Sequence, residues 1–110
     1  MILEVAILQI KPNLSTDFEA NFHKAMPLIA AAKGFVDLEL QKCLEHDAKY
    51  ILLVHWEEIQ DHTEGFRKSP EYLQWKDLLH AFYDPFPVVE HYGACMQVVS
   101  ATGRQQTEEP

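Results

Sequence analysis

Cysteine, glycine and basic residues are all scarce in this chain of 110 residues. The two cysteines, Cys43 and Cys95, are too few for a disulfide framework, so we expect free thiols and a cytoplasmic protein. Lysine and arginine number 9 against 17 aspartates and glutamates, which gives a formal net charge of −8 at pH 7. Because binding to nucleic acid or to anionic lipid needs a basic face, this charge argues against both as partners.

Long apolar runs and an export signal are missing as well. No stretch approaches the roughly 18 apolar residues of a membrane span. The N-terminus has neither a basic flank nor a small-residue cleavage site, so we expect neither membrane insertion nor secretion. The 6 histidines show no HxxxH spacing and the cysteines no CxxC spacing, so no metal site is predicted.

Four segments of the chain are predicted to form strands. Residues 2–10 and 50–56 are apolar at nearly every position, which is typical of strands covered on both faces. Residues 35–45 alternate between apolar and polar side chains, as a half-exposed edge strand does. The fourth predicted strand covers residues 88–100.

Two helices are predicted between these strands. Thr16–Glu19 fits a capping box at the start of the first helix. The second helix is expected to begin after Ser69, with Pro70 in its first turn, and to continue to about Tyr83.

The order of elements is therefore β-α-β-β-α-β, which predicts an α+β fold of the ferredoxin-like split β-α-β type with an antiparallel four-stranded sheet. Two helices cover one face of such a sheet, yet Leu3, Ile51 and Leu53 make the other face apolar too. Because monomers rarely expose so large an apolar face, we predict a homodimer in which two sheets cover each other. The predicted domain spans residues 1–100, and the polar tail 101–110 is predicted to be disordered.

Aromatic and titratable residues are densest between the third strand and the second helix. Trp56 shares strand parity with Leu52 and Val54, so these three side chains point to the same face. The other candidates are His62, Phe66 and Arg67 in the connection, and Tyr72, Lys76, His80 and Tyr83 along one edge of the helix.

Two segments, AKGFVDLELQKCLE and WEEIQDHTEGFRKSPEYLQWKDLLHAFYDPFPVVEHY, carry a resemblance to the antibiotic biosynthesis monooxygenase (ABM) family. The resemblance extends over about residues 2–98 and implies a dimeric α+β barrel with one pocket per subunit between sheet and helices. One branch of that family consists of cofactor-free monooxygenases that oxidise polycyclic phenols to quinones with molecular oxygen. Another branch degrades haem.

The match to the quinone-forming branch is partial. Trp56 corresponds to the strand tryptophan that lines the pocket in that branch. Leu52 stands where the branch has an asparagine, His62 where it has an aromatic hydroxyl, and Lys76 lies close to its helix arginine.

The match to the haem-degrading branch is weaker. Its strand-one asparagine, its tryptophan and its iron-ligating histidine fall at about Ala6, Gly65 and Trp75. His80 is the nearest replacement for the iron ligand, more than a helical turn away.

We therefore expect a cofactor-independent monooxygenase that acts with molecular oxygen on an electron-rich aromatic compound, of the polycyclic phenol, hydroquinone or anthrone type. The catalytic candidates are His62, or failing it His80, as acceptor of the phenolic proton, and Trp56 as the residue that holds the ring plane. A phenol near pKa 10 and an imidazole near 6.5 differ by about 3.5 units, so the transfer is uphill by roughly 5 kcal/mol. This favours a more acidic polycyclic substrate, or help from a cation such as Lys76. The predicted substrate-binding residues are Leu52, Val54, Phe66, Arg67, Tyr72, Lys76 and Tyr83.

Two other functions stay open at this point: a non-catalytic dimeric barrel that binds a small hydrophobic molecule, and a haem-degrading enzyme. Three of the candidate residues also have a structural alternative. Trp56 is either a pocket residue or a core anchor, and His62 is either a base or a histidine that caps the loop. Arg67 either contacts a ligand or stacks on Tyr72 or Phe66.

Overall fold

The computed structural model describes residues 1–96, 99 and 101. Within them the chain forms a four-stranded sheet in the order β2-β3-β1-β4, and every neighbouring pair is antiparallel. The strands are β1 (Ile2–Gln9), β2 (Phe35–Lys42), β3 (Lys49–Trp56) and β4 (Val89–Tyr92). This sheet, with helices packed on it, confirms the predicted α+β ferredoxin-like class.

The two α-helices are α1 (Ser15–Ala30) and α2 (Pro70–Leu79). Ser69 caps α2 as predicted, since its hydroxyl accepts a hydrogen bond from the backbone N–H of Tyr72. The capping box predicted for α1 is wrong, because the helix begins at Ser15, directly after Leu14, and has no side-chain cap. The second helix is also shorter than predicted, since a separate 3-10 turn, His80–Phe82, follows Leu79.

The sheet has one covered face and one open face. On the covered face, which packs against the helices, Leu8, Leu52, Val54 and Trp56 are all buried. The alternate residues of the same strands, including Leu3, Leu53 and His55, point to the open face and are half-buried. As expected from strand parity, Leu52, Val54 and Trp56 therefore point to the same face of the sheet.

The edge strand β2 departs from simple alternation. Its register with β3 shifts between Phe35 and Asp37, so Val36 is inserted as a bulge. Val36 is exposed for this reason, although alternation would place it beside the half-buried Leu38.

The connection from β3 to α2 is a π-helical turn, Asp61–Gly65, followed by a 3-10 turn. Asp61 is buried; its carboxylate accepts a hydrogen bond from the backbone N–H of Glu58 at 3.1 Å and pairs with Lys33 at 3.4 Å. Gly34, which has φ of +82°, packs directly on that carboxylate. A side chain at position 34 would overlap Asp61, so glycine is required there both by its backbone conformation and by space.

The C-terminal part of the chain is less regular than predicted. Strand β4 ends at Tyr92, and residues 93–96 are not in a strand. The rest of the predicted strand to residue 100, and the predicted tail 101–110, lie outside the described residues except for positions 99 and 101. Cys43 and Cys95 are both free thiols, as expected. Among the described residues, no helix is long and apolar enough to cross a membrane.

Candidate functional site

A cavity of about 340 Å³ lies between the covered face of the sheet on one side and, on the other, α2 and the segment that follows it. Its volume is in the range of about 300–1,000 Å³ that is usual for sites of small molecules. It brings together many of the residues predicted for the site, namely Leu52, His62, Phe66, Arg67, Tyr72, His80 and Tyr83. Residues that were not predicted for it include Glu4, Trp75, Phe86 and Val89.

Three predicted site residues do not line this cavity. Val54 and Trp56 are wholly buried beneath it, and Lys76 is exposed on the outer side of α2. The Trp56 ring stacks on the His62 ring at a centroid distance of 5.4 Å, with 18° between the planes. The structure therefore gives Trp56 the surroundings of a core anchor that holds cavity residues in place.

A buried carboxylate, that of Glu4, forms part of the cavity lining. Glu4 is only 5% exposed, and its Oε1 accepts a hydrogen bond of 2.9 Å from the Trp56 indole N–H. The Nε2 atom of His62 lies 3.5 Å from the same oxygen. Burial raises the pKa of Glu4, while the Trp56 hydrogen bond and the positive charge of Arg67 oppose that rise.

His62 connects this carboxylate to a second histidine. The Nδ1 atom of His62 is 2.8 Å from Nε2 of His91, which pairs directly with Glu4 across β1 and β4. When Nε2 of His62 carries the proton and points at Glu4, its Nδ1 accepts the hydrogen bond from His91. We call these three residues the Glu4–His62–His91 chain.

The environment of His62 strongly disfavours its protonated form. Burial, followed by the charges of Arg67 and His91, lowers the pKa of His62 from 6.5 to about 3. At neutral pH the imidazole is therefore neutral. The gap to a phenol near pKa 10 widens to about 7 units, or roughly 10 kcal/mol, so His62 is a weaker base than its type suggests.

The rest of the lining is largely aromatic. The His80 ring lies 4.9 Å from Phe86, 5.8 Å from Tyr83 and 5.9 Å from Tyr72 between centroids. Burial and the nearby charge of Lys76 lower the pKa of His80, so this imidazole is neutral at pH 7. Burial, with smaller contributions from Tyr72 and Glu4, raises the pKa of the Tyr83 hydroxyl, which therefore stays protonated. The cavity thus suits a flat, apolar ring system with a polar edge.

Sequence reasoning missed Glu4 and His91. One clue was available for Glu4: it shares strand parity with Ala6 and Leu8, so a charge falls on the buried face of an apolar strand. No comparable clue marks His91, because its position beside Glu4 depends on the register of β1 with β4. Among the described residues, no group of three or more His, Cys, Asp or Glu side chains is arranged to hold a metal ion.

Comparisons with known proteins agree with this architecture. The sequence model of the antibiotic biosynthesis monooxygenase family matches residues 1–78. An uncharacterized protein of Bacillus subtilis, YczJ, is 53% identical over 92 residues, which cover 84% of this chain and 97% of that protein.

Solved structures show the same likeness. A Bordetella bronchiseptica protein named as a candidate antibiotic biosynthesis monooxygenase matches with a TM-score of 0.81 and 30% identity, over 86% of this chain and 97% of that one. SnoaB, a cofactor-independent oxygenase from Streptomyces nogalater, matches with a TM-score of 0.78 over 90% of this chain and 97% of its own. Its identity of 17% supports a likeness of fold alone. By the family match over residues 1–78 and by the Bordetella relative, the chain belongs to the antibiotic biosynthesis monooxygenase family.

Proposed function

We propose that this protein is a cofactor-independent monooxygenase that oxidises a compact electron-rich phenol or anthrone to a quinone with molecular oxygen. The observation that carries the proposal is the aromatic cavity with a buried, polar floor formed by Glu4 and His62. Family membership and a fold shared with a cofactor-independent oxygenase support it.

The chemistry requires little from the protein beyond ionising, holding and shielding the substrate. A phenolate is electron-rich enough to pass one electron to oxygen, and the radical pair then combines to a carbon-bound peroxide. Loss of water from the hydroperoxide gives the quinone, so one phenol and one O2 become one quinone and one H2O. A cavity with little water protects the radical pair from side reactions.

The charges around the cavity fit an anion that forms during the reaction. Arg67 lines the cavity, and its charge adds to burial in lowering the pKa values of His62 and His91. A phenolate oxygen near this guanidinium is stabilised electrostatically. Lys76, for which the sequence suggested this role, does not line the cavity, whereas Arg67 does, so we assign the role to Arg67.

The proposal includes a homodimer. The open face carries the half-buried Leu3, Val5, Ile51 and Leu53, together with Ile7, which is 42% exposed. A second copy of the same sheet is the simplest cover for such a face.

Oxygen consumption by metal-free protein tests the proposed activity. The substrates are an anthrone and a series of hydroxynaphthalenes, and uptake is compared with the uncatalysed reaction at the same pH. We expect catalysed uptake and a quinone that contains one atom of ¹⁸O when the reaction is run under ¹⁸O2. Uptake no faster than the uncatalysed reaction for every compound would contradict the activity.

A pair of neighbouring residues supplies a matched control. Val89 lines the cavity, whereas Val88 is 78% exposed and does not. We expect Val89→Trp to abolish uptake by filling the cavity and Val88→Trp to leave it unchanged. Tight binding of the same compounds without oxygen uptake would favour the non-catalytic binding function instead. A haem absorbance band that forms and then decays during haemin titration would favour haem degradation.

A further inference from the structure

We propose that Glu4 is the catalytic residue that accepts the substrate proton, and that His62, itself hydrogen-bonded to His91, is the positioning residue for its carboxylate. This inference rests on the proposed function, because it assigns the base of that same site. It replaces the imidazole base expected from the sequence with a carboxylate on the first strand.

The first argument is geometric. Glu4 lines the cavity and is the acidic side chain among the residues that do so. Its Oε1 is occupied by the Trp56 indole N–H and approached by His62. Within the described part of the chain no group hydrogen-bonds to Oε2, so this oxygen is free to meet a hydroxyl group that enters the cavity.

The second argument concerns the cost of keeping this charge. A carboxylate that is 95% removed from solvent loses hydration that one indole and one neutral imidazole do not replace. Structures rarely retain such a group without a compensating role, and buried acids with perturbed pKa values concentrate at functional sites.

The third argument comes from the opposite shifts of the two neighbours. Burial raises the pKa of Glu4 and lowers that of His62. The carboxylate is therefore a stronger base than an ordinary glutamate, and the imidazole is a weaker base than an ordinary histidine. Environments that drive neighbouring pKa values apart commonly mark an assignment of acid and base roles. A neutral His62 with its proton on Nε2 points that N–H toward Oε1 at 3.5 Å, and this polar contact favours one orientation of the carboxylate.

The protons balance through Glu4 alone. The substrate O–H bond breaks as a Glu4 O–H bond forms, and the phenolate then reduces oxygen and combines with it. The Glu4 proton passes to the peroxide. The carboxylate next takes the ring C–H proton as the O–O bond breaks, and the departing hydroxide leaves as water with that proton. No external acid, reductant or metal is needed for one turnover.

Several charged or titratable groups face Glu4 and define the pH dependence to be tested. They are His62 and Arg67 from the connection, Tyr83 from the segment after α2, and His91 from β4. In the wild type we expect kcat/KM to rise with pH through the pKa of Glu4. This pKa lies above its ordinary value of 4.5.

Activity measurements form the first arm of the test. We expect Glu4→Gln, which keeps the shape, to lower kcat/KM for a hydroxynaphthalene by at least about 100-fold at neutral pH, the lower bound for a positioned base. The variant should lose the Glu4 limb of the pH profile and recover rate as the solution pH ionises the substrate. His62→Phe should instead move the limb to higher pH, because it removes the polar N–H that lies 3.5 Å from the carboxylate and favours its charged form. Asp77→Asn, at an exposed carboxylate of α2 that does not line the cavity, is the control and should change nothing.

Ligand binding forms the second arm and does not depend on turnover. At a pH where 4-nitrophenol is un-ionised, we expect the wild type to prefer it over 4-nitroanisole by about tenfold or more, since only the phenol donates a charge-assisted hydrogen bond. Glu4→Leu should abolish that preference. Because replacing a buried carboxylate with an apolar residue is often neutral or stabilising, this variant should fold.

The two arms separate failure of this inference from failure of the proposed function. If the wild type consumes oxygen and Glu4→Gln keeps its rate and pH profile, the inference is wrong and the function stands. If the wild type binds the phenol and the ether equally well, the inference is wrong whatever the activity. A preference for the phenol that depends on Glu4, in a protein without oxygen uptake, would support the hydrogen-bond acceptor and refute the monooxygenase.

Discussion

Each face of the sheet departs at a few positions from the usual relation between polarity and burial. On the covered face, Glu4 and His62 are buried together with the Trp56 ring. On the open face, aliphatic side chains such as Leu53 are half-exposed, and the polar pair His55 and Asp37, with 2.7 Å between Nδ1 and Oδ1, lies toward one edge. A buried polar group costs desolvation free energy in the folded state, and an exposed apolar group lowers the solubility of the monomer.

Each departure has a different consequence. Polar groups kept in a core are explained by chemistry performed there, as we propose for Glu4. Apolar groups kept at a surface are explained by assembly, as we propose for the open face. If this comparison is right, substitutions on one face should change association, and substitutions on the other should change activity and the pH dependence of stability.

The largest effect is expected on the open face. Leu53→Glu would place two like charges near each other across a two-fold interface, which costs several kcal/mol. We expect the dissociation constant of the homodimer to rise by at least about 1,000-fold, equivalent to about 4 kcal/mol, as measured by sedimentation or light scattering. Leu73→Glu, at an exposed leucine of α2, is the control and should leave the dimer intact. A well-folded wild-type monomer at micromolar concentration would contradict the assembly.

A smaller effect is expected beneath the cavity. Trp56→Phe removes the N–H donor to Glu4, and Trp75→Phe removes an indole for which no such bond is described. We expect Trp56→Phe to lower the free energy of unfolding by about 1–3 kcal/mol more than Trp75→Phe, the cost of leaving a buried acceptor unpaired. Urea denaturation measures both. In a Glu4→Leu background the difference should disappear, and its persistence would show that the hydrogen bond is not its cause.

The smallest effect is a slope of stability with pH. His62 has its pKa lowered from 6.5 to about 3, so the unfolded chain binds more protons in that window and stability falls as pH falls through it. Glu4 has its pKa raised above 4.5, so the folded chain binds more protons there and stability falls as pH rises.

These two slopes oppose each other in the wild type, and single variants separate them. Between pH 6.5 and 4.5 we expect Glu4→Gln to lose stability on acidification more steeply than the wild type, and His62→Phe less steeply. The differences should stay below about 1.4 kcal/mol per pH unit, the limit for one proton. Urea unfolding at a series of pH values measures them, and parallel slopes for all three proteins would argue that neither group is perturbed.

The fold could be predicted from sequence because its determinants are local. The apolar runs at 2–10 and 50–56 and the cap at Ser69 each depend on a few neighbouring residues. The errors occurred at the ends of elements and at a bulge, namely at the start of α1, the end of α2, the end of β4 and Val36.

The candidate site was predictable only in part, because it is assembled from distant segments. Helical spacing was enough to bring Tyr72 and His80 to the cavity. The contact of Glu4 with His62 depends on a π-helical turn that no pattern indicated, and the bond from His62 to His91 depends on the register of an edge strand. Parity alone also could not tell that Trp56 lies under the cavity and not in its wall.

Because Gly34 contacts Asp61, a mutation in the loop before β2 can disturb the site from outside it. Asp61 immediately precedes His62, and its carboxylate occupies the space that any side chain at position 34 would need. A mutation at Gly34 would therefore displace the turn that carries His62, although Gly34 does not line the cavity. Anyone who redesigns the cavity for a new substrate should treat the turn between α1 and β2 as a fixed part of the scaffold, and should vary the segment of Phe86 and Val89 instead.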